Sequence, residues 1–396
     1  MRFLSRHGSA LLSAVTAFLI CQPLQSQTFT FGPRHVITPN PGFYRSPLDL
    51  NGDGKIDLYV EGSDGRSIYL GNGDGTFAST PISVAATSFH ASPTFVDVNG
   101  DGLADMVFAY AGNSDPNTPY DFPGAFGVAL GDGKGNFTVT TRTPLDYGQA
   151  AFVPGDFNHD GKVDFAIVVA GQPTVASSSL TIMLNTGSGV FRMAQYNTLP
   201  GSPWAIAAGD FNADGKLDLA WTDSQTQGTA ANAYPIRCAF GVGNGTFGTE
   251  KVCYTTDGRP TGLIAADLNH DNKADLIVGI GPRLGADGQP VTGAKPRLAT
   301  LLAKASSGFY WYSSSTSNGY PVQYQLQDLN GDGYPDVSIE AAYLYAGHAG
   351  GSFGVEQTLS IPPLPLFLSP LIKGGLPALF SYDSTGIQVQ LNTSKK

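Results

Sequence analysis

The phrase Asp-x-Asn-x-Asp-Gly-x-x-Asp recurs six times in 396 residues, starting at Asp49, Asp97, Asp156, Asp210, Asp267 and Asp328. Successive starts lie 48 to 61 residues apart, and the only departure is Asn272 in place of the glycine of the fifth copy. A bland Asp/Asn/Gly surface turn does not keep nine positions in register. A fixed phrase at a period of this size is the mark of a repeated supersecondary unit.

Each copy places four side-chain oxygen donors on one tight loop. Position one is Asp49, Asp97, Asp156, Asp210, Asp267 or Asp328; position three is Asn51, Asn99, Asn158, Asn212, Asn269 or Asn330. Position five is Asp53, Asp101, Asp160, Asp214, Asp271 or Asp332; position nine is Asp57, Asp105, Asp164, Asp218, Asp275 or Asp336. The carbonyl of residue seven can complete the set. Glycine at position six permits the left-handed turn that folds the donors inward, and Asn272 is the usual substitute there. Hard oxygen donors without His or Cys select calcium, so about six Ca²⁺ are expected.

The loop is not an EF-hand, which needs a bidentate Glu at position twelve and a following helix. Position twelve is Val60, Phe108, Ile167, Trp221, Val278 or Ile339, and a short β-prone run such as Phe165–Val169 follows position nine. Each loop therefore joins two strands. A second phrase comes later in every repeat, a turn ending in Phe: Gly71–Phe77, Gly131–Phe137, Asn185–Phe191, Gly241–Phe247, Ala303–Phe309 and Ala346–Phe353. Such turns close hairpins, and the Phe can pack between neighbouring sheets. The unit reads strand, acidic loop, strand, variable loop, strand, glycine turn, strand. In the third repeat the strands are predicted near 150–155, 164–170, 180–185 and 191–197.

Four strands per unit predict an all-β propeller. Six loops give six blades. Beyond the last, Leu376–Phe380 and Ile387–Asn392 resemble second and third strands, and Leu391-Asn392 echoes Leu184-Asn185. The loop positions before them have decayed to Pro370, Ile372, Gly374 and Ala378. The run Phe29–Ile37 is an unclaimed strand, which can close a seventh blade and remove two open sheet edges.

The two phrases resemble the FG-GAP/VCBS repeats of the integrin α-subunit propeller and of many exported bacterial proteins. The resemblance extends over nearly all of residues 27–396. It implies one seven-bladed propeller domain with calcium between first and second strands. It does not imply one function, because such propellers include adhesion receptors, lectins and lyase domains.

Residues 1–26 read as a secretory signal, with Arg2 and Arg6, an apolar run from Ala10 to Cys21, and Ser26 at a cleavage point. The run falls short of the ~20 residues that span a bilayer. A secreted, extracellular or periplasmic monomer is expected. Cys238 and Cys253 flank the fourth glycine turn and are predicted to pair as a disulfide. Net charge is −10, and eighteen Asp belong to the six loops. The acidity is thus ligand charge, and with no basic face nucleic acid is a poor partner.

Catalysis has little support: only Glu61, Glu250, Glu340 and Glu356 are Glu, the six His are scattered, and no nucleophile elbow, phosphate loop or HExxH occurs. His159 and His270, fourth in their loops, are expected to point outward. Binding is better supported. The segments between blades and the second-to-third-strand loops share the face opposite the acidic loops. Three of the latter are long, Gly112–Gly124, Thr222–Pro235 and Gly281–Pro296. Candidate ligand-binding residues on that face are Tyr44, His90, Tyr147, Trp204, Arg259 and Tyr320, beside Arg45 and Tyr312. Aromatics next to polar groups around a rigid funnel suit a glycan or protein ligand. A polysaccharide-cleaving enzyme and a purely structural surface protein are the competing readings.

Overall fold

Seven four-stranded antiparallel sheets follow one another in chain order, with one extra two-stranded ribbon, and no helix occurs among the described residues. The computed structural model describes residues 29, 31–38, 44–62, 65–84, 93–110, 124–146, 148–171, 177–223, 233–285, 289–304, 308–318, 324–339, 343–359, 364–370, 376–383 and 386–394. The expected signal segment lies outside them. The protein is a seven-bladed β-propeller.

Blade three is the most regular. Its strands are Gly148–Gly155, Asp164–Gly171, Ser178–Asn185 and Phe191–Leu199. The predicted spans fall inside these, each short by two residues or fewer at an end. The second and third strands are buried nearly throughout, because both of their faces meet neighbouring blades. In blade six the fourth strand shrinks to Gln357–Thr358, and the ribbon of Gly347–His348 and Ser352–Phe353 takes up the intervening chain.

The seventh blade consists of Leu364–Pro370, Pro377–Asp383 and Gly386–Asn392, with the N-terminal strand Phe31–Thr38 on its outer edge. Phe31 stands opposite Asn392 and Val36 opposite Gln388. Gln390 Nε2 donates to Gly32 O at 2.9 Å. Just upstream, Phe29 N and O both bond to the amide of Gln357 in blade six. The two ends of the chain therefore lock the ring together.

The core is divided. Among the described residues, seven clusters of buried apolar side chains each draw on two adjacent blades, from blades one and two through to six and seven. The last interface joins Leu58 and Val60 of blade one to Phe380 and Val389 of blade seven. Position-twelve residues sit in these interfaces, among them Phe108, Trp221 and Val278. The Phe of the glycine turns stack there too: Phe247 meets Phe157 of the preceding blade at 5.5 Å, and Phe309 meets Phe211 at 5.1 Å, both edge to face.

Candidate functional site

Two regions carry chemistry, the acidic loops on one face and a cleft on the other. In every loop the position-one carboxylate accepts the backbone N–H of position six at 2.7 to 2.9 Å. The position-three Asn Oδ1 accepts the N–H of position five at 2.8 to 3.1 Å. The position-five carboxylate accepts the N–H of position seven at 2.8 to 3.0 Å. Position six is left-handed throughout, including Asn272 at φ 64°. Position four is left-handed as well, which the sequence reading missed. Gly52, Gly100 and Gly331 signalled it, but His159, Ala213 and His270 adopt the same conformation. Both imidazoles are exposed, and His270 lies 5.3 Å from the Tyr334 ring of the next blade.

Position nine behaves differently. Its carboxylate is buried, and both oxygens accept backbone N–H groups at 2.7 to 3.3 Å in all six loops. Asp164 shows the pattern: one oxygen accepts Phe157 N at position two, the other accepts Asn185 N at the end of the third strand. The same clasp holds Asp57, Asp105, Asp218, Asp275 and Asp336. The ninth residue thus ties loop to sheet, in addition to any role as a ligand.

Among the described residues no three carboxylates, imidazoles or thiols converge on one point; the loop oxygens are turned onto the loop's own backbone. The donor set nevertheless fits calcium. Every loop keeps three carboxylates and an amide oxygen, the hard oxygen donors that calcium takes. Burial pushes the carboxyls of Asp57, Asp164, Asp218 and Asp275 up to about 6, and the carboxylates at positions five and one push the same way. Asp336 rises to about 7 for the same reasons. A cation in the loop relieves that repulsion. In four loops the ammonium of the position-seven Lys already sits on the position-five carboxylate, as for Lys162 and Asp160 at 2.8 Å. Such exposed pairs are weak, so a divalent ion can displace them.

On the opposite face, Trp204 and Arg259 meet across blades four and five. The Arg259 guanidinium carbon is 5.9 Å from the Trp204 ring centroid. With Pro260, Thr261, Pro282 and Leu284 they line a cleft of about 380 Å³. Trp204 opens the first strand of blade four, Pro203–Gly209. Its register slips against the second strand between Pro203 and Ile206. A bulge of this kind re-aims a side chain, and Trp204 is 43% exposed and not wedged between blades. Arg259 precedes a matching slip between Pro260 and Gly262.

The backbone around Trp204 is held from below. Asp223 Oδ1 accepts Ser202 N at 2.9 Å, Thr222 Oγ1 accepts Ala205 N at 3.1 Å, and Ser178 Oγ donates to Gly201 O at 2.7 Å. Asp223 is buried and paired with Arg237 at 3.1 Å, and Arg237 reaches Glu250 at 2.9 Å. A neighbouring cleft of about 250 Å³ is lined by Tyr254, Thr255, Asp257, Arg297 and Trp311. Cys238 and Cys253, on the third and fourth strands of blade four, are joined as a disulfide with Cα atoms 5.9 Å apart.

The other sequence candidates do not gather here. His90, Tyr147 and Tyr320 lie outside the described residues, as does the Tyr44 side chain. Tyr312 is corrected: it stands in the outermost strand of blade five, Phe309–Thr316, away from the funnel.

Residues 49–108 and 166–221 match the family model of the FG-GAP-like repeat. No curated protein matches the sequence. Among solved structures, a lectin of Agrocybe aegerita described as recognising non-reducing terminal N-acetylglucosamine aligns at 18% identity and TM-score 0.51, over 80% of this chain and 79% of its own. BBS1N, solved in complex with ARL6DN, aligns at 10% identity and TM-score 0.53, over 93% of this chain and 99% of its own. At these identities the likeness is one of fold.

Proposed function

We propose that this chain, a β-propeller of FG-GAP-like repeats, is an exported calcium-binding module that takes a ligand on the face away from its acidic loops, with a glycan as that ligand. One observation carries the reading. A large aromatic ring stays exposed in a concave site while its backbone is pinned by buried partners. Exposing Trp forgoes burial worth a few kcal/mol, and holding it rigid lowers the entropic cost of binding.

Other features support the reading. Six oxygen loops on one face suit calcium as a stiffening element. A disulfide and a calcium requirement both favour an oxidising, calcium-rich compartment, in line with the apolar N-terminal segment. Among the described residues no helix is long and apolar enough to cross a membrane. The fold neighbour described as recognising N-acetylglucosamine offers a precedent for sugar on this architecture.

A glycan array in calcium, with product analysis of every hit, tests the proposal. The expected result is an intact bound glycan that Trp204→Ala no longer retains. Cleaved product identifies a lyase or hydrolase instead, and capture of proteins but no glycan moves the function to protein adhesion.

A further inference from the structure

We infer that the Trp204–Arg259 cleft seats a carboxylated sugar ring, a uronic acid within a glycan; this rests on the glycan reading above and names its chemical class. Two neighbouring arginines on this flank differ in one respect. Arg297 lies against Trp311 and is paired with Asp257. Arg259 lies against Trp204 and has no carboxylate partner among the described residues. The chain that places Asp257 in one cleft places Arg259 two residues later in the other. Asp223, the other acid near this segment among the described residues, is buried and engaged by Arg237 and by Ser202 N. The acidic loops are on the opposite face.

A guanidinium stacked against an aromatic ring is weakly hydrated and offers a planar fork of donors. That fork matches a carboxylate in two parallel hydrogen bonds. The exposed indole offers an apolar plane beside it. A uronic acid ring supplies both complements from one residue, an apolar C–H face for stacking and a carboxylate at its edge. A neutral sugar uses only the indole, and an isolated peptide carboxylate uses only the arginine. The rest of the lining is mostly apolar, with Pro260, Pro282 and Leu284. The volume of about 380 Å³ lies at the small end of the roughly 300–1,000 Å³ typical of small-molecule sites. The Arg259 backbone is fixed by Gly281 N, which donates to its carbonyl at 2.8 Å.

The test uses the calcium-loaded protein and matched pairs of oligosaccharides: oligomers of galacturonate, glucuronate and mannuronate, each beside its methyl ester. Esterification removes the charge and leaves the ring face. At least one acid should bind tenfold or more tightly than its ester. Arg259→Gln should erase that preference while leaving melting temperature and calcium content unchanged. Arg259→Lys, which keeps the charge but not the fork, should restore only part of it. Trp204→Ala should weaken acid and ester alike by tenfold or more. Equal affinity for acid and ester in the parent protein, or a preference that survives Arg259→Gln, overturns the carboxylate assignment and leaves the glycan reading standing. Failure to bind any glycan on the wider array removes both.

Discussion

Asp160 and Asp164 stand four residues apart in one loop and do different work. Asp160 is exposed and holds its own loop together. Asp164 is buried and satisfies two backbone N–H groups that have no water to turn to. Asp164→Ala should therefore cost about 1–3 kcal/mol for each stranded donor, and the loss should persist in EDTA. Asp160→Ala should lose one calcium and little else once calcium is removed. Chemical denaturation of both variants with and without chelator separates the two roles; equal losses in EDTA would refute the distinction. A second contrast surrounds the cleft. Gly201 has φ +78°, and a Cβ there would fall 1.9 Å from Asp223 Oδ2. Gly201→Ala should destabilise the fold by more than about 1 kcal/mol and weaken ligand binding as well. Trp204→Ala should stay within roughly 0.5 kcal/mol of the parent in stability, as exposed substitutions do. Melting curves and ligand titrations on both variants check this.

The acidic loop is an element with two left-handed residues, and the copies have not optimised both equally. Ala213 at position four has φ 59°. A non-glycine residue in that conformation carries about 1–2 kcal/mol of strain. Ala213→Gly should recover about 1 kcal/mol of it, read as a raised denaturation midpoint at unchanged slope. No gain would mean that the position is relaxed by local bonding. The loop also acts across blades. Its position-two carbonyl accepts from the next blade, through Asn185 Nδ2 onto Val98 O at 2.6 Å and Asn392 Nδ2 onto Leu329 O at 2.7 Å. The echo between Leu184-Asn185 and Leu391-Asn392 thus has a cause: both asparagines end a third strand and clasp the preceding loop. Blade seven lost its own acidic loop but kept this hook.

At the scale of the ring, stability rests on seven interfaces, one closing strand and the loop charge. The formal charge of −10 is dominated by Asp in the loops. Calcium bound only to the folded state should stabilise it by about 2.7 kcal/mol per site at a hundredfold excess over Kd. EDTA should therefore lower the melting temperature substantially, and metal counting in excess calcium should return about six ions per chain. Two or fewer ions, or an unmoved melting curve, would refute a structural role for calcium. Removing residues 31–38 should expose the third strand of blade seven as an open edge and lead to aggregation. A deletion variant as soluble and stable as the parent would show that the ring tolerates the opening.

Local chemistry was legible in the chain because it repeats. The nine-residue phrase, the Phe of the glycine turns and the missing seventh loop specify strand order, blade count and the closing strand, since each depends on neighbours in sequence or on the need to leave no edge unpaired. Asn272 could be placed in a left-handed turn because its five counterparts are glycine. The cleft could not be read this way. Trp204 and Arg259 were singled out separately as residues between blades, but their meeting depends on two bulges at the entries of adjacent sheets and on the curvature of the ring. The double duty of the ninth Asp was equally hidden, because its second partner lies up to 28 residues away on the third strand. Period and pattern decide which blades form. Contacts between blades, set by packing across distant parts of the chain, decide which exposed ring and which guanidinium share a cleft.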